Sequence, residues 1–198
     1  MMKSPYANKK ENEWLKITKR LVEKHPLKEC LVQIVLKSWD SIFKSNFDSY
    51  RIGKDFFPEP QIMGFFLHDI IALHLNKVNH DYRIGDAGKE KDVVCISNES
   101  LSFEIKTSSH NNQIFGNRSY AQKGSDKDKK HKDGFFLAIN FEKFNLKSKQ
   151  RPEIKLIRFG FLEHGDWIAQ KSPKGQQAHL PTNVYEKKFV TLYTREQV

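Results

Sequence analysis

Asp92, Glu104 and Lys106 are the residues of this chain whose types and spacing point most directly to chemistry. Asp92 opens the short apolar run Val93-Val94-Cys95-Ile96, the turn-like Ser97-Asn98-Glu99-Ser100 follows, and Leu101-Ser102-Phe103-Glu104-Ile105-Lys106 comes after it. Read as a β-hairpin, the pattern sends Leu101, Phe103 and Ile105 into a core, while Ser102, Glu104 and Lys106 share the opposite face. Two carboxylates and an ammonium then converge at one edge of a sheet. Mg²⁺ takes oxygen ligands and keeps several waters, so a carboxylate pair suits a metal that must also hold a phosphate. A neighbouring lysine can orient a water, and a metal so held favours a nucleophile at neutral pH and steadies phosphoryl charge. The chemistry that fits is hydrolysis of a phosphodiester.

The triplet alone is weak, because Glu and Lys are abundant and Glu153-Ile154-Lys155 repeats it at the start of another expected strand. That second copy follows a loop-like segment and has no acid across a hairpin from it. Asp128-Lys129-Lys130 fits a D-x-K pattern but lies in a charge run, not in a strand. The plain alternative for Glu104 and Lys106 is an ion pair on the solvated face of an edge strand.

Asp92 followed by Glu104-Ile105-Lys106 resembles the PD-(D/E)xK nuclease pattern. Downstream, Thr107-Ser108-Ser109 and the stretch from Ile114 to Gln122 look like the type II restriction endonucleases grouped around ScaI, a resemblance covering about residues 80 to 140. It implies a restriction-endonuclease-like core, a mixed β-sheet flanked by helices. It also implies that Asp92 and Glu104 bind Mg²⁺ together with the Ile105 backbone carbonyl, that Lys106 positions the attacking water, and that the products carry 5′-phosphate and 3′-hydroxyl ends. One departure stands out: the first acid of the superfamily often follows a proline, and here Lys91 precedes Asp92, which leaves Asp86 as a second candidate. The helix ahead of the hairpin sometimes adds a carboxylate in this superfamily, for which Asp69 and Glu59 are the candidates. As bland readings, Asp69 is an exposed shoulder and Glu59 a partner of the helix dipole. Arg118, Tyr120, Gln122 and Lys123 are the expected DNA-binding residues, Arg118 because its planar fork suits a phosphate or a guanine edge.

Composition agrees with a polyanionic partner. Lys and Arg number 34 against 24 Asp and Glu, a formal net charge of +10, and neutralised phosphates release condensed counterions. Basic ribosomal and membrane-surface proteins share that balance. Hydrophobic residues make up 38%, with 15 Phe and 3 Trp, enough for a real core and against a disordered tail. No long apolar stretch or signal peptide is visible, so a cytoplasmic protein without a membrane partner is expected. The two cysteines, Cys30 and Cys95, read as small core residues, and His68 and His74, six apart on one helix, do not share a face as metal ligands do.

The positioning elements follow from periodicity. Trp14, Ile17 and Leu21 mark a first helix over 10–24, and Pro26 opens a second running to about Phe43 with Leu31, Ile34, Val35, Ser38 and Ile42 as its apolar stripe. A third helix spans about 61–77, with Ile62, Phe66, Asp69 and Leu73 close to one face. Thr107–Asn112 reads as a loop, 117–123 as a short helix or turn, and the charge run 123–134 as a solvated segment able to meet phosphates. Phe135–Phe141 reads as a fully buried central strand, 154–161 as another, and Phe189–Tyr193 as a last edge strand. The expectation is an α/β (α+β) fold in one nuclease domain over 1–198: a helical layer over about 1–50, a catalytic core over about 58–162 and a loop-rich part over about 163–198.

The function expected is Mg²⁺-dependent cleavage of double-stranded DNA at a short, palindromic site by a type II restriction enzyme. Palindromy requires a two-fold symmetric homodimer, and the class implies a companion DNA methyltransferase protecting the same site. The competing readings are another nuclease of the superfamily, acting in repair or on junctions, and a non-catalytic basic nucleic-acid-binding module.

Overall fold

The computed structural model describes residues 4–121, 132–148, 150–172 and 174–196. Helix α1 (Trp14–Glu23) and helix α2 (Leu31–Lys44) come first, then the small hairpin β1 (Asn46–Phe47) and β2 (Tyr50–Arg51), in which Asp48 takes a left-handed φ of 56°. Helix α3 (Pro60–Val78) leads into β3 (Tyr82–Ile84), β4 (Val93–Cys95), β5 (Phe103–Ser108) and β6 (Phe115–Asn117). After these come β7 (Gly134–Phe141), β8 (Ile154–Leu162), β9 (Ile168–Ala169), β10 (Gln177–His179), α4 (Thr182–Lys187) and β11 (Phe189–Thr194).

Six strands form a mixed sheet in the order β11-β8-β7-β5-β4-β3, in which β5 and β7 run parallel and every other pair is antiparallel. The architecture is α+β, as its residues predict. All of β7 is buried, as expected of a central strand with helices on one face and a second layer on the other. Phe103, Ile105, Phe135, Leu137 and Phe159 face the helices and form the larger core with Leu31, Val35, Leu67 and Ile71. Phe136, Ala138 and Leu162 face the other way, onto Ile114, Trp167, Ala178 and Val184.

That second layer corrects one expectation. The segment after residue 163 is not merely loop-rich: β10 pairs with both β6 and β9 in a three-stranded sheet. Strands of two or three residues are too short to show alternation. Thr107 and Ser108, expected in a loop, extend β5 in register with Ile139 and Asn140.

The N-terminal helices carry two further corrections. Pro26 does not open α2; residues 26–30 form successive turns, and the helix starts at Leu31. Buried His25 holds this turn: its Nδ1 accepts from the Leu27 amide at 3.3 Å, so Nε2 donates to the Leu101 carbonyl at 3.1 Å, and the ring packs edge-on against Phe135 and Phe159. On α3 the buried side is Met63, Gly64, Leu67, Ile71, Ala72 and Leu75, so Ile62, Asp69 and Leu73 are exposed. Gly64 sets that rotation, since a Cβ there would stand 2.4 Å from Thr107 Oγ1. Only glycine lets α3 lie this close to β5.

The chain's distant parts are joined by a buried cation. Lys188 Nζ, between α4 and β11, donates to Glu163 at 2.6 Å and Asp166 at 2.7 Å, and lies 4.3 and 4.5 Å from the centres of the Tyr6 and Trp14 rings. Tyr6 hydroxyl reaches the Phe161 carbonyl at 3.1 Å. No helix among the described residues is long and apolar enough to cross a membrane.

Candidate active site

Strand register brings the sequence-separated acids together. Val93 pairs with Phe103 in the antiparallel β4–β5 contact, which sets Asp92, one residue before β4, across from Glu104. Every second residue of β5 turns its backbone groups toward β4, and Ile105 is one of them. In place of a strand partner, the Ile105 amide finds the Asp92 carboxylate and donates to its Oδ2 at 2.7 Å. The Ile105 carbonyl points to the same edge, because the N–H and C=O of one strand residue lie on one side.

Glu104 is 1% exposed, so its charge requires partners. Tyr120 hydroxyl donates to its Oε2 at 3.1 Å, and Lys106 Nζ stands 3.6 Å from the same oxygen. The Lys106 ammonium also lies 4.7 Å from the centre of the Tyr120 ring, a cation–π contact. Tyr120 comes from a 3₁₀ turn (Arg118–Ala121) after β6 and is backed by Trp167, ring centres 5.0 Å apart. Tyr120, expected among the DNA-binding residues, sits at the Glu104 carboxylate. Lys91, the residue before Asp92, sends its ammonium to the Asp133 carbonyl at 2.9 Å and ties the site edge to the entry of β7.

One member of the cluster carried no spacing signal in the sequence. His68 Nδ1 lies 3.9 Å from Asp92 Oδ2, brought there from α3. A single histidine within an apolar helix looks like any other, and only the packing of α3 at Gly64 shows which way it faces. His74 serves elsewhere, with Nδ1 2.9 Å from Ser38 Oγ on α2.

The other candidates lie on other segments of the chain. Asp86 is exposed in the β3–β4 connection, where its amide donates to Glu90, which grips Arg83 at 2.6 Å. That grip holds the Glu90 carboxyl down at about 2. Glu59 is the exposed residue preceding α3, its carbonyl accepting from Ile62 and Met63, and Asp69 is exposed on the same helix. Arg118 braces a loop: Nη1 donates to the carbonyls of Ser172 and Gly175 at 2.9 and 2.8 Å, and its amide to that of Gln176. Gln122, Lys123 and Asp128-Lys129-Lys130 lie outside the described residues. The rival triplet is occupied with surface pairing, Glu153 beside Arg151 and Lys155 donating to Asn111.

As a donor set, Asp92, Glu104 and the Ile105 carbonyl offer oxygen alone, which fits a hard divalent cation that brings its own waters. Among the described residues no group of three or more His, Cys, Asp and Glu forms a metal cage.

Comparison with known proteins finds relatives over nearly the whole chain. A family model described as ScaI restriction endonuclease matches residues 4–193. The Type II restriction enzyme ScaI of Streptomyces caespitosus is 42% identical over 196 residues, which cover 98% of this chain and 86% of that one. Among solved structures, tetrameric restriction endonuclease SfiI bound to cognate DNA aligns over 99% of this chain and 90% of its own, at 12% identity and a TM-score of 0.49. BglI bound to its DNA recognition sequence aligns over 91% of each chain at 10% identity and the same score of 0.49. With the family match running from ahead of α1 into β11, the protein belongs to the ScaI restriction endonuclease family.

Proposed function

We propose that this chain is a Mg²⁺-dependent type II restriction endonuclease that cuts double-stranded DNA at a short palindromic site. The observation that carries the reading is the Asp92 carboxylate seated on the Ile105 amide beside the Glu104–Lys106–Tyr120 cluster. Its relative's name, a type II restriction enzyme at 42% identity, points the same way.

Asp92, Glu104 and the Ile105 carbonyl would hold Mg²⁺, which supplies charge stabilisation at the phosphoryl oxygens and lowers the pKa of water. The Ile105 amide fixes the Asp92 carboxylate at the strand edge for that task. Lys106, steered by Glu104 and the Tyr120 face, presents N–H donors that hold the attacking water in line with phosphorus. Attack opposite the 3′-oxygen forms one P–O bond and breaks another, leaving a 5′-phosphate and, after proton uptake from solvent, a 3′-hydroxyl. Each site cuts one strand, so a homodimer with two-fold symmetry completes a double-strand cut at a palindrome. A methyltransferase of the same specificity is the expected companion.

The test is incubation of the purified protein with plasmid and genomic DNA, in Mg²⁺ or in EDTA, followed by sequencing of the ends. Discrete Mg²⁺-dependent fragments sharing one terminal sequence support the reading. Binding without any cutting would sink it.

A further inference from the structure

A groove of about 740 Å³ opens beside the cluster, between α3 and the segment that follows β5. Its lining includes Gln61 and His68 from α3, His110 and Asn111 after β5, Lys143 after β7, and Gln177 from β10. No carboxylate belongs to that lining among the described residues. His68 stands 3.9 Å from Asp92 Oδ2, so the groove runs directly up to the site.

The segment forming its wall is anchored from within. Asn140, fully buried on β7, donates through Nδ2 to the carbonyls of His110 and Gln113 at 3.0 and 2.9 Å. Its Oδ1 accepts from Arg158 Nη2 at 2.9 Å, and the same nitrogen donates to the Asn112 carbonyl at 2.7 Å. Arg158 is itself buried on β8, its guanidinium 4.7 Å from the centre of the Tyr185 ring. Tyr185 hydroxyl then clamps Ile114, accepting from its amide at 3.0 Å and lying 3.1 Å from its carbonyl.

Burying a guanidinium and a carboxamide is costly, and stability is a weak reason to retain such groups. Here three inward side chains spend their donors on the backbone of one segment, 110–114, exposed at 110–113 and anchored by buried Ile114. Its outward groups are thereby fixed before any ligand arrives, as preorganised recognition requires. His110 Nδ1 accepts from the amides of Asn112 and Gln113, which places the proton of the neutral ring on Nε2 as a donor. Asn and Gln carboxamides pair a donor with an acceptor, the combination displayed by an adenine edge in the major groove.

We infer that segment 110–114, with Gln61 opposite, is a rigid base-reading wall, and that Asn140, Arg158 and Tyr185 are positioning residues for it. Specificity then resides in a crossover held by the sheet. The inference rests on the nuclease reading, and the two fail separately. End-sequencing of wild-type products first defines the site; absence of any cutting would refute the nuclease reading alone.

Given a site, cleavage rates are measured on it and on every single-base-pair substitution of it. His110→Ala, Asn111→Ala and Gln61→Ala each change an exposed residue, and thermal unfolding of each variant checks that it is folded. The expected result is a loss of about tenfold or more on the cognate site for at least one of them, with discrimination relaxed at particular base pairs. Uniform loss over all sequences would signify phosphate contacts and overturn the inference, as would wild-type rates and preference in all three. Tyr185→Phe removes only the clamping hydroxyl and is expected to narrow the ratio of cognate to substituted-site rates several-fold. That ratio is blind to the folded fraction, so an unchanged ratio overturns the positioning role.

Discussion

The phenol of Tyr120 and the carboxylate of Glu104 meet at 3.1 Å across a gap of sixteen residues, with the Lys106 ammonium resting against both. A hydrogen bond to a buried charge is worth about 1.5–3 kcal/mol. Tyr120→Phe keeps the ring under Lys106 and the packing on Trp167 but removes that bond. The expected outcome is a fall in kcat of about ten- to a hundredfold with DNA affinity little changed, read from single-turnover cleavage and a binding titration.

Asp92→Asn separates charge from shape. An asparagine still offers an acceptor to the Ile105 amide, so thermal unfolding should stay within a few degrees of wild type. Loss of the negative charge should cut the cleavage rate by roughly a hundredfold or more. Equal activity in the variant would move the first acid elsewhere, with Asp86 next to be tested.

Gly64 controls how α3 meets the strand bearing the site. Gly64→Ala sets a methyl group 2.4 Å from Thr107 Oγ1, one residue beyond Lys106. Overpacking of this kind costs about 1–3 kcal/mol. Denaturant unfolding should show that loss, together with slower cleavage as His68 shifts. Adding Thr107→Ala removes the offending oxygen and should return most of the stability.

Lys188 anchors both ends of the described chain in one buried knot. Lys188→Met strands Glu163 and Asp166 without their cation, a loss of about 3–5 kcal/mol by the usual cost of a broken buried pair. Urea unfolding checks the figure, and the double variant Lys188→Met, Asp166→Asn should recover part of it.

His25 gives the fold an acid-sensitive point. Burial lowers its pKa below the usual 6.5 despite the bond to the Leu101 carbonyl. Below that ordinary value the unfolded chain takes up a proton that the folded one refuses, so stability rises with pH and falls as pH drops from about 6.5 toward the lowered value. The slope should be at most about 1.4 kcal/mol per pH unit from this group. Comparing wild type with His25→Gln by unfolding at several pH values isolates it: the variant should lack this share of the slope.

Much of the sheet was legible because its strands are long enough to declare themselves. The unbroken apolar run of β7 and the alternation of β5 read directly from residue type, and the same alternation put Glu104 and Lys106 on one face. What could not be read are relations set by packing. The rotation of α3 depends on a single missing methyl group at Gly64, and His68 inherits its direction from that. Tyr120 and Trp167 come from segments 47 residues apart, and nothing in either segment announces the other. The start of α2 was misplaced because Pro26 is a good first helical residue in isolation, whereas buried His25 and Leu27 commit that stretch to turns.

The parallel pairing of β5 with β7 has one more consequence. Parallel neighbours cannot be joined by a tight turn, so topology obliges the chain to leave the sheet after Ser108 and travel before it re-enters at Gly134. The register of the six-stranded sheet constrains only the two ends of that excursion, and β6 within it pairs instead with β10. On the inference drawn above, the outward side chains of residues 110–113 can change identity while Glu104 and Lys106 on the adjoining strand keep their places.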